Sequence, residues 1–143
     1  MIANHVSETR GITAGPEHVC VVPGGKPILF FPMMALLEEG DEVIYPNPGF
    51  PIYESQIVAN GAVPVPLGLK EARNFAFDPA DLERAITPRT KMLILNTPHN
   101  PTGGSLTAKD LADIAAIMRK HPQVWIYADE IYSRLIYNGA FQS

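Results

Sequence analysis

The chain is organised around a nine-residue stretch, residues 96–104, which reads NTPHNPTGG. An apolar run at 91–95 leads into it, and a segment with helical spacing of its apolar residues follows at 106–120. A strand, a loop rich in Asn, Pro and Gly, and then a helix form the arrangement of ligand sites at the carboxyl ends of parallel strands. Pro101 favours an extended backbone at Asn100, which directs that side chain away from the loop. A plain strand-to-helix connection is the alternative interpretation.

Length and composition restrict the class of protein. The 143 residues predict one domain with one core, and the net charge of -4 gives no sign of a nucleic-acid surface. The N-terminus lacks the features of a signal peptide, and the longest apolar run, 28–37, is too short to cross a bilayer. The single cysteine, Cys20, is expected to be a buried thiol, and a chain with one cysteine fits a reducing compartment. We therefore expect a cytoplasmic protein with no nucleic-acid or membrane partner.

Apolar runs and helical segments alternate along the chain. The runs are continuous rather than alternating, which is typical of a parallel sheet covered on both faces. The expected strands are 19–22, 42–45, 62–65, 90–95 and 124–128. The sequence thus predicts an α/β fold with three layers, α/β/α, and a mostly parallel sheet. We expect a helix and lead-in loop over about 1–18 and the α/β core over 19–143.

Several local signals refine this prediction. Asp78 followed by Pro79 indicates a helix start, because Asp caps a helix and Pro fits its first turn. Pro32 lies within an expected helix, which should either begin late or kink there. Pro64 indicates an edge strand or a strand end. Residues 134–137 have the composition to begin another strand.

Four loops at strand ends carry distinctive groups. The first loop has backbone amides and a positive charge, at Gly24, Gly25 and Lys26. The second has the aromatic ring of Phe50, and the third has the amide side chain of Asn100. The fourth has the carboxylate of Asp129 and the phenol of Tyr132. Together these groups suit a flat, nitrogen-containing aromatic phosphate. Taken singly, each has a structural explanation as an ordinary turn, a core aromatic or a loop cap. His99, beside Asn100, is expected to be a solvent-exposed loop histidine.

The order and spacing of four short motifs resemble a known family. They are Gly-Asp-Glu-Val at 40–43, Pro-x-Pro-x-aromatic at 46–50, Asn-Pro-Thr-Gly at 100–103 and Asp-Glu-x-Tyr at 129–132. This set resembles the fold-type-I pyridoxal-phosphate enzymes, specifically the class I/II aminotransferases of the aspartate aminotransferase type. The resemblance runs from about residue 19 to 132 and implies part of the large, cofactor-binding domain of that fold.

The resemblance implies a role for each candidate residue around pyridoxal phosphate. Asp129 would pair with the pyridinium nitrogen, and Asn100 and Tyr132 would donate to the phenolic oxygen of the ring. Phe50 would stack on the ring, where the family often has Trp or Tyr. The phosphate would bind to the turn formed by Gly24, Gly25 and Lys26. Family members commonly have a hydroxyl residue in that turn.

The family's catalytic lysine and the arginine that binds the substrate carboxylate are among the features missing from these residues. The Schiff-base lysine follows the Asp-Glu-x-Tyr segment in a Ser-Lys context, with a phosphate-binding arginine close behind. The five lysines of this chain all precede Asp129: Lys26, Lys70, Lys91, Lys109 and Lys120. We therefore expect a fragment of the large domain that is inactive alone and has no catalytic residue of its own.

The resemblance also implies partners. The parent enzyme would transfer an amino group from an amino acid to a 2-oxo acid, and family members are usually homo-oligomers. Three alternatives remain open from the sequence: a fragment of a related lyase or decarboxylase of the same fold type, a non-catalytic module that binds pyridoxal phosphate, and an α/β remnant without a ligand.

Overall fold

Four parallel strands form the centre of the molecule, and the computed structural model describes all residues, 1–143. The strands are β1 (Glu42–Asn47), β2 (Val63–Gly68), β3 (Thr90–Asn96) and β4 (Trp125–Asp129). They lie in the order β2-β1-β3-β4, and every pairing is parallel. The chain leaves β1 for β2 on one side and later returns to β3 on the other side. This change of direction places a crevice at the carboxyl ends of β1 and β3.

Five helices connect or precede the strands. They are α1 (Ile2–Arg10), α2 (Lys26–Leu36), α3 (Ile52–Ala59), α4 (Pro79–Ala85) and α5 (Ala108–Met118). Short 3₁₀ turns occur at Pro16–His18 and Glu71–Arg73. None of the helices has the length and apolar character that a membrane span requires.

Each face of the sheet has its own apolar core, because successive side chains of a strand point to opposite faces. Helices α2 and α3 pack against Val43 and Tyr45 of β1 and against Met92 and Ile94 of β3. On the other face, α4 and α5 pack against side chains that include Ile44, Leu93 and Leu95. The predicted α/β/α layers are therefore confirmed, and β1 and β3 are buried along almost their whole length.

The predicted helix start at Asp78 is also confirmed. The Asp78 carboxylate accepts a hydrogen bond of 2.9 Å from the N–H of Ala80, and Pro79 begins α4. Pro64 lies in β2, an edge strand, as its missing N–H predicts. Helix α1 ends at Gly11, whose φ of +64° lies in the left-handed region that favours glycine.

Other predictions are wrong. Residues 19–22 form no strand, and Val21 is 75% exposed, because no other strand lies beside this run to complete its hydrogen bonds. Cys20 is accordingly exposed rather than buried. Residues 134–137 form turns and irregular backbone instead of a strand. Of the two alternatives for Pro32, the late helix start is excluded, because α2 begins at Lys26 and continues past the proline to Leu36.

Candidate cofactor site

A cleft of about 490 Å³ opens at the carboxyl edge of the sheet, where the loops after β1, β3 and β4 meet the start of α2. Six of the seven residues selected from the sequence line it: Gly25, Lys26, Phe50, Asn100, Asp129 and Tyr132. Gly24 is not among the lining residues, but it precedes them in the same turn with a φ of +90°. The parallel topology thus brings together residues that are more than 100 positions apart in the chain.

The start of α2 forms one end of the cleft. Gly25 is its N-cap, and no side chain caps the backbone N–H groups of the first turn. The left-handed backbone of Gly24 turns the chain into the helix, a conformation that favours glycine. A free helix N-terminus with the ammonium group of Lys26 beside it has the electrostatic character of an anion site.

Asp129 ends β4 and is held by two donors. The hydroxyl of Tyr53 donates to Asp129 Oδ2 over 2.6 Å, and the N–H of Ile131 donates to Oδ1 over 3.3 Å. Tyr53 is fully buried at the start of α3, and its pKa is raised by burial and then by the bond to Asp129. The phenol therefore remains a donor, and it fixes the carboxylate at the cleft. The loop-capping role of Asp129 is also present, since the Ile131 bond closes the turn after β4.

Phe50 and Tyr132 supply aromatic surface. Phe50 meets the ring of Tyr53 edge-on, with ring centroids 6.0 Å apart and an interplanar angle of 84°. Phe50 is half-buried and packs against the core below the cleft. Tyr132 is also half-buried, and its hydroxyl forms no hydrogen bond within the chain. Tyr132 can therefore donate to a ligand without breaking an existing bond.

The loop that carries Asn100 is closed by its own hydrogen bonds. The N–H of His99 donates to the Gly104 carbonyl, and the N–H of Gly103 donates to the His99 carbonyl, each over 2.8 Å. The N–H of Asn100 donates over 2.8 Å to the side chain of Asn96, the last residue of β3. The loop therefore presents Asn100 from a braced backbone.

The expectation of an exposed His99 is wrong. Its side chain is only 6% exposed, and its Nδ1 lies 2.8 Å from the hydroxyl oxygen of Thr102. Burial lowers the pKa of His99 below its usual value, and the nearby carbonyl of Pro48 offsets part of that effect. The fold buries this histidine because the loop turns it inward, away from the cleft that Asn100 faces.

Among the cleft residues that the sequence prediction missed are Tyr53, Asn96 and Tyr127. Tyr53 and Tyr127 look like core aromatics, and only their three-dimensional placement reveals polar contacts. Tyr127 donates to the Ile28 carbonyl over 3.2 Å, and its pKa is raised to about 12 by burial and then by the charge of Asp129. Asn96 did carry a signal, because a polar residue at the end of an apolar strand faces the same sheet edge as Asn100.

The lysines are distributed unevenly around the molecule. Lys26 is the only one that lines the cleft. The other four each lie within ion-pair distance of carboxylates outside it: Lys70 with Asp78 and Asp81, Lys91 with Asp41, Lys109 with Asp113, and Lys120 with Glu83.

Known proteins are similar to this chain in sequence and in fold. The sequence profile of the family "Aminotransferase class I and II" matches residues 1–143. An aspartate/prephenate aminotransferase from Cereibacter sphaeroides is 39% identical over 137 residues, and an aspartate aminotransferase from Geobacillus stearothermophilus is 40% identical over 139 residues. These alignments cover 96% and 97% of this chain but only 34% and 35% of the relatives.

Solved structures agree with the sequence comparison. An alanine aminotransferase from Pyrococcus furiosus superposes with a TM-score of 0.94 at 30% identity, covering 99% of this chain and 36% of that protein. An aspartate aminotransferase from Thermus thermophilus, solved with maleate, has a TM-score of 0.94 at 36% identity and is covered to 37%, again with 99% of this chain. The chain thus spans about a third of the length of the relatives it matches. By sequence profile and by structure, it belongs to the class I and II aminotransferase family.

Proposed function

We propose that this chain forms the pyridoxal-phosphate-binding part of an aminotransferase. The observation that carries the proposal is the cleft at the carboxyl edge of the sheet, where a carboxylate, an amide and a free helix start face one space. The carboxylate of Asp129 is fixed in this position by a hydrogen bond from the hydroxyl of Tyr53, whose side chain is fully buried. Fixed polar groups in a largely apolar cleft are the usual composition of a cofactor site.

The residues present fit this cofactor. The helix start at Gly25 and the charge of Lys26 suit a phosphate, because backbone N–H groups and an ammonium both attract an anion. Asp129 suits a protonated ring nitrogen, and Asn100 and Tyr132 suit an oxygen on the same ring. Apolar side chains complete the lining, including Ile28, Leu29 and Ile131, and they suit the faces of a flat ring.

When bound, the cofactor supplies an electron-withdrawing pyridinium ring that stabilises negative charge at the reacting carbon. In this proposal Asp129 keeps the ring nitrogen protonated, because a nearby negative charge favours the charged form of its partner. Tyr53 orients Asp129, and Phe50 covers the ring and excludes water from it. Asn100 and Tyr132 orient the ring in its plane by donating to its oxygen.

We extend the proposal to the whole enzyme by analogy with its relatives. The substrates would be an amino acid and a 2-oxo acid, since the relatives are named as aspartate/prephenate, aspartate and alanine aminotransferases. Assembly as a homo-oligomer also belongs to this proposal, while a cytoplasmic location stays a prediction from the sequence.

The 143-residue chain alone should not catalyse the transfer. Aminotransferases use a lysine that bonds covalently to the cofactor and moves protons, and none of the five lysines occupies the family's Ser-Lys motif. Lys26, the single lysine at the cleft, lies at the anion-binding end. A measured turnover with the purified chain would contradict this expectation.

The proposal is tested by titrating the purified chain with pyridoxal phosphate and following absorbance and fluorescence. We expect saturable binding that the substitution Asp129→Ala weakens. The matched control is Asp113→Ala, which removes an exposed carboxylate that pairs with Lys109 on α5, far from the cleft. Binding that is absent, or that both substitutions weaken equally, would contradict the proposed site. Mass spectrometry after borohydride reduction separates this binding from a covalent reaction at Lys26.

A further inference from the structure

The last residue of β3, Asn96, is a polar side chain in a nearly closed environment. It is only 7% exposed, and it lies opposite Asp129 in the register of the parallel pair β3 and β4. A buried amide is costly unless its polar atoms are hydrogen-bonded, so the partners of this side chain carry information.

Both ends of the Asn96 amide are used, and they join different loops. Its Nδ2 donates to the main-chain oxygen of Asp129 over 3.1 Å. Its Oδ1 accepts from the N–H of Asn100 over 2.8 Å. One rigid planar group therefore connects the loop after β3 to the end of β4, the two segments that carry Asn100 and Asp129.

The Asn100 N–H has no equivalent partner within its own loop. The main-chain hydrogen bonds of the loop run between His99, Gly103 and Gly104, and no loop carbonyl accepts from the Asn100 N–H. The bond to Asn96 is thus the contact that ties the Asn100 backbone to the sheet. The Asp129 carbonyl differs, because it also accepts from the N–H of Thr97 over 3.2 Å.

We propose that Asn96 is a positioning residue for the cofactor, because its amide sets where the Asn100 side chain lies relative to Asp129. This inference rests on the proposed function, in which Asp129 contacts the nitrogen and Asn100 the phenolic oxygen of the same ring. Without the amide, the ring nitrogen would keep its partner, but the donor for the ring oxygen would lose its fixed place.

Two substitutions divide the contacts. Asn96→Ala removes both hydrogen bonds. Asn96→Asp keeps an oxygen for the Asn100 N–H but sets a second oxygen against the Asp129 carbonyl. The matched control is Asn60→Ala at the end of α3, where the same type of amide donates to the Gln56 carbonyl over 2.7 Å and does not line the cleft.

The first readout needs no cofactor. Hydrogen exchange of the Asn100 backbone N–H, measured by NMR on the folded chain, should be about tenfold faster in Asn96→Ala, because a bonded N–H exchanges only when it opens. It should stay close to the wild-type rate in Asn96→Asp and in Asn60→Ala. An unchanged rate in Asn96→Ala would overturn the inference.

The second readout separates positioning from general stability. We expect Asn96→Ala to weaken binding of pyridoxal phosphate about tenfold, equivalent to ~1.4 kcal/mol. Binding of an analogue that lacks the phenolic hydroxyl should change little, because Asn100 has no oxygen to contact there. Equal losses for both ligands would contradict a role through Asn100. If the wild-type chain binds neither ligand, the proposed function fails, and the exchange measurement still decides whether Asn96 braces Asn100.

Discussion

The hydroxyl of Tyr53 links the core to the cleft, and its removal should affect both. Tyr53→Phe leaves the packing intact but deprives Asp129 of its 2.6 Å donor. A hydrogen bond to a charged group contributes about 1.5–3 kcal/mol, so we expect a loss of that order in the free energy of unfolding. Urea unfolding measures the stability, and titration should show weaker binding of pyridoxal phosphate.

The control for this prediction is Tyr45→Phe. Tyr45 is also buried, and its hydroxyl donates to Glu54 over 3.0 Å, but it does not line the cleft. Its removal should cost some stability without changing cofactor affinity. If the two substitutions reduced the affinity equally, Tyr53 would have no specific role in holding Asp129.

The buried His99 should make stability depend on pH. Burial lowers its pKa below the usual value of 6.5, so the unfolded chain binds a proton more readily than the folded chain near that pH. Stability should therefore fall as the pH decreases below about 6.5. In His99→Gln the fall over the range from about pH 7.5 to 5.5 should be smaller, as measured by the urea midpoint at each pH.

The exposed His5 provides the comparison, because it lies on the solvent face of α1. His5→Gln should leave the pH dependence of the wild type unchanged. A His99→Gln profile that ran parallel to the wild type would show that the buried imidazole does not drive the acid response.

Individual residues were predictable where a backbone rule constrains them. The Asp78 cap follows from its position before Pro79, and the candidate residues follow from strand ends that share one edge. Burial of a lone residue was not predictable. His99 and Cys20 lie in short segments whose direction depends on loops and neighbouring strands, and sequence spacing does not encode those. The same limit hid Tyr53, because its hydroxyl meets Asp129 only in the folded chain.

Helix α2 shows how one element adapts to a proline. Pro32 has no N–H, so it cannot donate to the carbonyl of Ile28 one turn earlier. That carbonyl accepts instead from the hydroxyl of Tyr127 on β4, over 3.2 Å. The proline thus frees a helix acceptor for a bond that ties α2 to the sheet.

A double-mutant cycle tests this exchange of partners. Tyr127→Phe should cost about 0.5–1 kcal/mol in the wild type, because it leaves the Ile28 carbonyl without its protein donor. In a Pro32→Ala background the helix supplies an N–H, so the same substitution should cost less. Urea unfolding of the four proteins gives the coupling, and Tyr137→Phe, at a 91% exposed residue, serves as control. Equal costs in both backgrounds would contradict the exchange.

Strands were predicted well where the structure places another strand beside them. Strands β1 and β3 occupy the centre of the sheet, and their apolar runs were recognisable. Residues 19–22 have the same composition but no neighbouring strand, and composition alone does not distinguish the two cases. In α2 the Ile28 carbonyl that Pro32 leaves free has its donor on β4, almost 100 residues later, and no local pattern indicates that contact.

The whole molecule has two unlike sheet edges. Edge strand β2 contains Pro64 and Pro66, which cannot donate to a further strand. Edge strand β4 has no proline and exposes Trp125 and Ile126, at 54% and 49%. An exposed apolar edge with free backbone groups is a template for pairing with another chain. We therefore expect the isolated 143-residue chain to self-associate through β4.

Charged substitutions at the two edges test this expectation. Ile126→Lys should weaken self-association about tenfold, ~1.4 kcal/mol, since a charge opposes edge pairing. Val63→Lys, at a 43% exposed position of β2, should leave it nearly unchanged. Sedimentation equilibrium measures both, with circular dichroism to verify folding. A chain that stays monomeric at high concentration, or responds equally to the two substitutions, would contradict pairing at β4.

In the proposed function, the carboxyl edge of this sheet binds a pyridoxal phosphate through defined contacts. A crystal structure of the chain with the cofactor tests it most directly. We predict the phosphate at the Gly24–Lys26 turn, the ring nitrogen within hydrogen-bond distance of Asp129, and the phenolic oxygen facing Asn100 and Tyr132. A bound cofactor with its phosphate elsewhere, or with its ring nitrogen away from Asp129, would contradict the account.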